Sequence, residues 1–191
     1  KVNGKKLKSV SEWISQFTPE IPAEKIAQAI EKRNGTPDEQ TLVKRRQKGD
    51  ISLHQGNFVH ESIEYYLKYD QDFTNEPIEA FKKLQTKNKY YSEVIVYDEE
   101  LAGTIDLIEV IKKGKVKILD FKTNGDLYKE NGKLLKPFDH LKNSPINKYT
   151  LQLNKYRELL EKMKGVEVVE MNLWHYSKGE FKIIKLDKIK L

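Results

Sequence analysis

Leu119-Asp120-Phe121-Lys122 ends a run of apolar and β-branched residues that reads as a strand. Asp120 and Lys122 are two positions apart, so on a strand their side chains share a face. A carboxylate beside an ammonium at a strand end can hold a cation and position a water. An exposed ion pair with the same spacing would be worth only about 0–1 kcal/mol. In a chain with 35 Lys and Arg, Asp-x-Lys alone therefore says little. Gly103-Thr104-Ile105-Asp106-Leu107-Ile108 adds a second acid inside an apolar run, where a carboxylate is expensive unless it is paired or metal-bound. Lys112-Lys113-Gly114-Lys115 reads as a hairpin turn that brings Asp106 and Asp120 to the same end. Two neighbouring carboxylates repel and one of their pKa values rises, unless a divalent cation bridges them. Hard oxygen ligands suit Mg²⁺ or Mn²⁺.

Two helical pieces carry further chemistry. Gln152 and Tyr156 are four apart and share a helix face. An amide with a ring and a hydroxyl suits a nucleotide; a half-buried tyrosine beside a solvated glutamine gives the same pattern. His60 is followed by Glu61 and, one turn on, by Glu64. His-Glu-x-x-Glu lacks the second imidazole of the zinc-peptidase pattern, which argues against that chemistry.

The elements that must position these residues follow from periodicity. Ser9-Val10-Ser11-Glu12 is a capping box before Trp13, Ile14 and Phe17. Helices are expected over 22–32, from Pro37, over Leu53–Lys68, and from an Asn75 cap through Leu84. After Tyr90 strands are expected at 92–97, 103–111 and 116–121, with Val94 and Val96 on one face and Glu93, Ile95 and Tyr97 on the other. An irregular polar excursion (124–143) is followed by a helix over 146–164 that Gly165 stops, then strands at 166–176 and 181–186. The order predicts a mixed α/β sheet packed with helices. Without repeats or a low-complexity linker, residues 1–191 read as one domain: 1–90 mainly helical, 91–191 the sheet and the Gln152–Tyr156 helix.

The chain has 191 residues and no cysteine, which excludes a disulfide framework, thiolate metal sites and a cysteine nucleophile. No apolar run reaches membrane-span length and no secretory signal is expected. The net charge is +6, mild basicity that fits a nucleic-acid partner.

Taken in chain order, Gly56-x-x-x-His60, Glu93, Gly103-x-x-Asp106, Asp120-x-Lys122 and Gln152-x-x-x-Tyr156 resemble the PD-(D/E)XK nuclease superfamily. The nearest likeness is to its RecB-like and Cas4-like exonuclease branch, including mitochondrial genome maintenance exonucleases. It spans Ser9 to Tyr176, and Ser9-Val10-Ser11 is similar to a Ser-Val-Thr entry in that branch. The resemblance implies a restriction-endonuclease-like α/β core, a central mixed β-sheet flanked by helices, with an N-terminal helical region. It makes Asp106 and Asp120 metal carboxylates, Lys122 the catalytic lysine that orients or helps deprotonate a water, and His60 an added metal ligand. The Phe121 carbonyl is a further expected ligand, Glu93 an accessory acid, and Gln152 and Tyr156 lie near DNA. The implied cofactor is Mg²⁺ or Mn²⁺, and an iron–sulfur cluster is excluded by the missing cysteines.

The implied activity is metal-dependent DNA exonuclease hydrolysis of phosphodiester bonds on single strands or ends, in recombination, repair or replication, leaving 5′-phosphates. A structure-specific or restriction-type endonuclease of the same fold, and a non-catalytic nucleic-acid-binding module, are the alternatives. Lys44, Arg45, Arg46 and Lys48, with Lys129, Lys133 and Lys136, are expected on backbone phosphates. Helices around 20–50 would arch over the site and admit single strands. With no helicase motif, a helicase or recombination protein would be a separate chain. The expected compartment is a bacterial or phage-infected cytoplasm, or else an organelle; no membrane is involved.

Overall fold

A computed structural model describes residues 6–20, 39–69 and 71–191, and their side chains apart from those of 39–49 and 52. The helix expected over 22–32, much of the 20–50 arch, and the side chains of Lys44, Arg45, Arg46 and Lys48 lie outside the described residues.

Ser9 caps the first helix as its sequence predicts. Its Oγ accepts from the Glu12 N–H at 3.0 Å, and its own N–H donates to Glu12 Oε2 at 2.6 Å. The elements in chain order are β1 (Lys8–Ser9), α1 (Val10–Ser15), α2 (Glu39–Lys68), α3 (Glu76–Lys82), β2 (Lys89–Tyr97) and β3 (Leu101–Lys112). They continue with β4 (Lys115–Lys122), α4 (Pro145–Lys164), β5 (Glu167–Ser177) and β6 (Glu180–Leu186). Asn75 caps α3 by accepting from the Ile78 N–H at 3.1 Å. Ser144 and Pro145 start α4, and Gly165 ends it at φ 62°, a left-handed position that favours glycine. Two differences from the sequence reading stand out. The helix expected from Leu53 extends back to Glu39, and the two-residue β1 pairs parallel with β3 through Lys8↔Leu101.

The sheet runs β1-β3-β4-β5-β6, with β2 also on β3. β2–β3, β3–β4 and β5–β6 are antiparallel, whereas β4–β5 is parallel and α4 makes the crossover between them. Alternate residues feed two cores. Ile108, Ile118 and Leu173 pack with Leu151, Leu153 and Leu159 of α4. Their neighbours Leu107, Leu119 and Trp174 pack with Val59 and Ile63 of α2 and Phe81 of α3. The sheet is therefore covered on both faces, a mixed α/β sandwich with the restriction-endonuclease-like arrangement. The 124–143 excursion is irregular apart from a Lys133↔Lys142 bridge and sets Leu127, Leu134 and Phe138 into the α4-side core. Among the described residues no helix is long and apolar enough to cross a membrane.

Candidate active site

The site sits where β3 and β4 part. Their ladder runs as far as Leu107↔Leu119. Beyond it β4 stays with β5 to Lys122↔His175, and β3 stays with β2 to Tyr97↔Ala102. In the gap the Phe121 N–H donates to Asp106 Oδ2 at 2.7 Å. Asp106 thus replaces a strand carbonyl and is fixed by the backbone it serves. Phe121 itself is 2% exposed, locked among Phe81, Trp174 and Phe181. That anchor holds Asp120 and Lys122 on the opposite face of β4, toward α4.

Glu93 lies between the pairs Ser92↔Leu107 and Val94↔Ile105, which places it across from Asp106. Its φ is 51°, a left-handed value that costs a non-glycine residue about 1–3 kcal/mol. The β2–β3 register runs through this position without a shift, and the Glu93 carboxylate meets His60 and Asp106. His60 arrives from α2. Its Nε2 lies 3.0 Å from the Phe121 carbonyl, which can only accept, so Nε2 carries the proton. Burial, and then the Lys122 charge, lower the imidazole pKa, favouring the neutral ring. Nδ1 is then an acceptor, yet it faces Asp106 Oδ2 at 3.4 Å. His60, Glu93 and Asp106 offer ligand atoms that all lie within 4.8 Å of one another. Burial, and then Asp120, push Asp106 well above the usual carboxylate range. Burial, and then Glu64, raise Glu93. Acceptors converging without a donor between them need a proton or a cation. A nitrogen and two carboxylates suit a divalent metal.

Asp120, 2% exposed, lies outside that trio and is paired with the Lys122 ammonium through Oδ2. Burial alone would depress the Lys122 pKa, but Asp120 and then Asp106 outweigh it and hold the group well above the usual lysine range. In this pairing Lys122 is held as an ammonium. Its Nζ also donates to the Phe121 carbonyl at 3.1 Å. That oxygen serves His60 and Lys122 together, so a metal binding to it would displace one of them. All these groups lie in or beside a cleft of about 600 Å³ that Gly56, Asn57, Glu64 and Tyr149 also line.

Gln152 and Tyr156 meet, with Gln152 Nε2 donating to Tyr156 Oη at 2.9 Å. Tyr156 is 6% exposed, so its ring is a packing element and not the open stacking platform its type allows. A Cβ at Gly103 would lie 2.3 Å from Tyr156 Cε1. Gly103→Ala is therefore expected to push the ring aside and destabilise the fold by about 1–3 kcal/mol. A melting temperature within 1–2 °C of the parent, on the order of a fraction of a kcal/mol, would refute the contact. Lys129, Lys133 and Lys136 are exposed on the excursion. Sequence reasoning missed Tyr149, whose ring lies over Lys122 Nζ at 5.0 Å, and Asn124, which lines the cleft beside it. The signal was available: Tyr149 precedes Tyr156 by seven residues, the helical spacing of one face.

The profile of the PD-(D/E)XK nuclease superfamily matches residues 23–188. A search of curated proteins finds no match. Among solved structures, a candidate exonuclease of Eubacterium rectale is similar at 16% identity, covering 95% of this chain and 73% of that one, with a TM-score of 0.49. The protein SSO0001 is similar at 14% identity over 98% of this chain and 70% of that one, with a TM-score of 0.43.

Proposed function

The chain belongs to the PD-(D/E)XK nuclease superfamily, and from that premise we propose that it is a divalent-metal-dependent DNA exonuclease acting on single strands or DNA ends. The observation that carries the metal is the facing of acceptors, His60 Nδ1 against Asp106 Oδ2 at 3.4 Å with the Glu93 carboxylate beside them. His60, Glu93 and Asp106 would hold the cation, with Asp120 at its margin. A divalent cation there would supply neutralisation of a phosphate and a lowered water pKa.

The chain's own residues do the rest. Phe121, through its carbonyl, fixes the tautomer of His60 and keeps Nδ1 free as a ligand. Asp106 keeps its position through the Phe121 N–H. Asp120 holds Lys122 as an ammonium, which donates to the attacking water and to the charge that builds on the phosphate oxygens. Phosphodiester hydrolysis by in-line attack is the reaction this set supports. Gln152 would meet a nucleotide near the metal, held by its bond to Tyr156. Backbone phosphates would meet Arg45, Arg46 and the excursion lysines. We read residues 1–191 as a single nuclease domain, serving recombination, repair or replication beside a separate helicase or recombination protein, in a bacterial or phage-infected cytoplasm or an organelle.

End-labelled linear single strands, linear duplex and closed circular single strands, each with Mg²⁺, Mn²⁺ or EDTA, test this. The expected result is metal-dependent loss of linear strands only, abolished in Lys122→Ala. Cutting of circles would instead make the protein an endonuclease. Binding without cleavage in every metal would leave a binding module.

A further inference from the structure

We infer that Tyr149 is a positioning residue for Lys122: its ring, held from α4, fixes where the ammonium stands in the cleft. The inference rests on the nuclease reading only for its consequence, not for its geometry.

A lysine side chain is long and freely rotating, so its charge is placed only by what surrounds it. Lys122 pairs with Asp120 and donates to the Phe121 carbonyl, two residues and one residue back on the same strand. Those contacts fix the ammonium with respect to β4. The contact from another element comes from α4. The Tyr149 ring lies face-on to Nζ with its centroid 5.0 Å away, inside cation–π range. Asn124, on the segment leaving β4, lines the same cleft and lies beside the Tyr149 hydroxyl. Tyr149 and Lys122 both line the cleft. With Asp120 and Phe121 on the strand side and the ring on the helix side, the cleft is the direction left open to the ammonium.

Tyr149→Phe keeps the ring over Lys122, and Tyr149→Leu removes it. Protein labelled with ¹³C at lysine Cε, free of added metal, gives a readout independent of cleavage, with Lys122 identified by the signal missing in Lys122→Met. The Lys122 ε-protons are expected upfield of the other lysines in the parent and in Tyr149→Phe, and at the ordinary position in Tyr149→Leu. The turnover number on linear single-stranded DNA with Mn²⁺ is expected to fall about tenfold to thirtyfold in Tyr149→Leu, with KM within about threefold, and to recover mostly in Tyr149→Phe. An ordinary shift in the parent, or the same upfield shift in a folded Tyr149→Leu, overturns the inference whether or not the protein cleaves DNA. A cleaving parent whose Tyr149→Leu turnover is unchanged, or whose loss lies wholly in KM, overturns it and leaves the nuclease reading standing.

Discussion

Lys122→Met is expected to lower DNA cleavage by at least about a hundredfold to a thousandfold while DNA affinity stays within about threefold. The loss follows from position. The ammonium stands at the strand fork, donating to the Phe121 carbonyl at 3.1 Å and paired with Asp120 beside the Asp106 carboxylate. Charge developing on a phosphate drawn to a cation at Asp106 would meet this ammonium in the cleft, where a fixed donor is worth most. Affinity for DNA depends on phosphate contacts spread over many lysines, so one buried cation adds little to it. The same substitution has a structural cost. Asp120 is 2% exposed, and without its partner it is a lone buried carboxylate. Removing one member of a buried pair costs about 3–5 kcal/mol, enough to lower the melting temperature by about 6–20 °C in a chain of this size. Asp120→Asn combined with Lys122→Met removes the uncompensated charge. The double variant is expected to recover most of the melting temperature and none of the cleavage. Recovery of cleavage in it, or cleavage within tenfold of the parent in Lys122→Met, would show that Lys122 has no part in the chemistry.

Much of this site can be read from a single sequence, and the legible part shares a cause. Asp106, Asp120 and Lys122 are placed by one hairpin, so strand parity and a turn at Lys112–Lys115 are enough to bring them together. Gln152 and Tyr156 are placed by one helix in the same way. What was not legible depends on contacts between distant elements. The left-handed backbone at Glu93 has no signature of its own, since glutamate is not a residue that seeks φ near 50°. Strand alternation sets Glu93 on the face opposite Val94 and Val96, and the resemblance names it an accessory acid, but its meeting with His60 depends on where α2 packs. The burial of Tyr156 depends on Gly103, 53 positions away, leaving room for a ring. β1 is two residues long, too short for a period-two pattern, and exists because Leu101 and Ala102 offer it an edge. α2 runs on through Gly49 and Asp50, residue types that favour turns and so conceal a helix.

The second large effect concerns the metal and runs against ordinary intuition about buried charge. Asp106→Asn is expected to abolish cleavage and, in the metal-free protein at neutral pH, to raise the melting temperature. Burial, and then Asp120, hold the Asp106 pKa well above its unfolded value. The folded state therefore binds that proton more tightly than the unfolded chain does. The stability this contributes is fully present below the unfolded pKa and is lost as pH rises through the folded value. At neutral pH the native state carries the cost of crowded carboxylates, with Glu93 also raised. Asparagine removes the charge and can still accept the Phe121 N–H through its carbonyl oxygen, so the local backbone bond survives. In the parent, a divalent cation answers the same cost by a different route. Saturation at a hundred times Kd stabilises by about 2.7 kcal/mol, or about 5–10 °C here. Melting curves from pH 4 to 8, with EDTA or with Mn²⁺, separate these contributions. Relative to Asp106→Asn, the parent should lose stability as pH rises in EDTA and regain it with Mn²⁺. Asp106→Asn should respond little to Mn²⁺, and His60→Ala weakly, because one of the three proposed ligands is gone. A parent that gains nothing from Mn²⁺ or Mg²⁺, or an Asp106→Asn variant that gains as much as the parent, would remove Asp106 from any metal site.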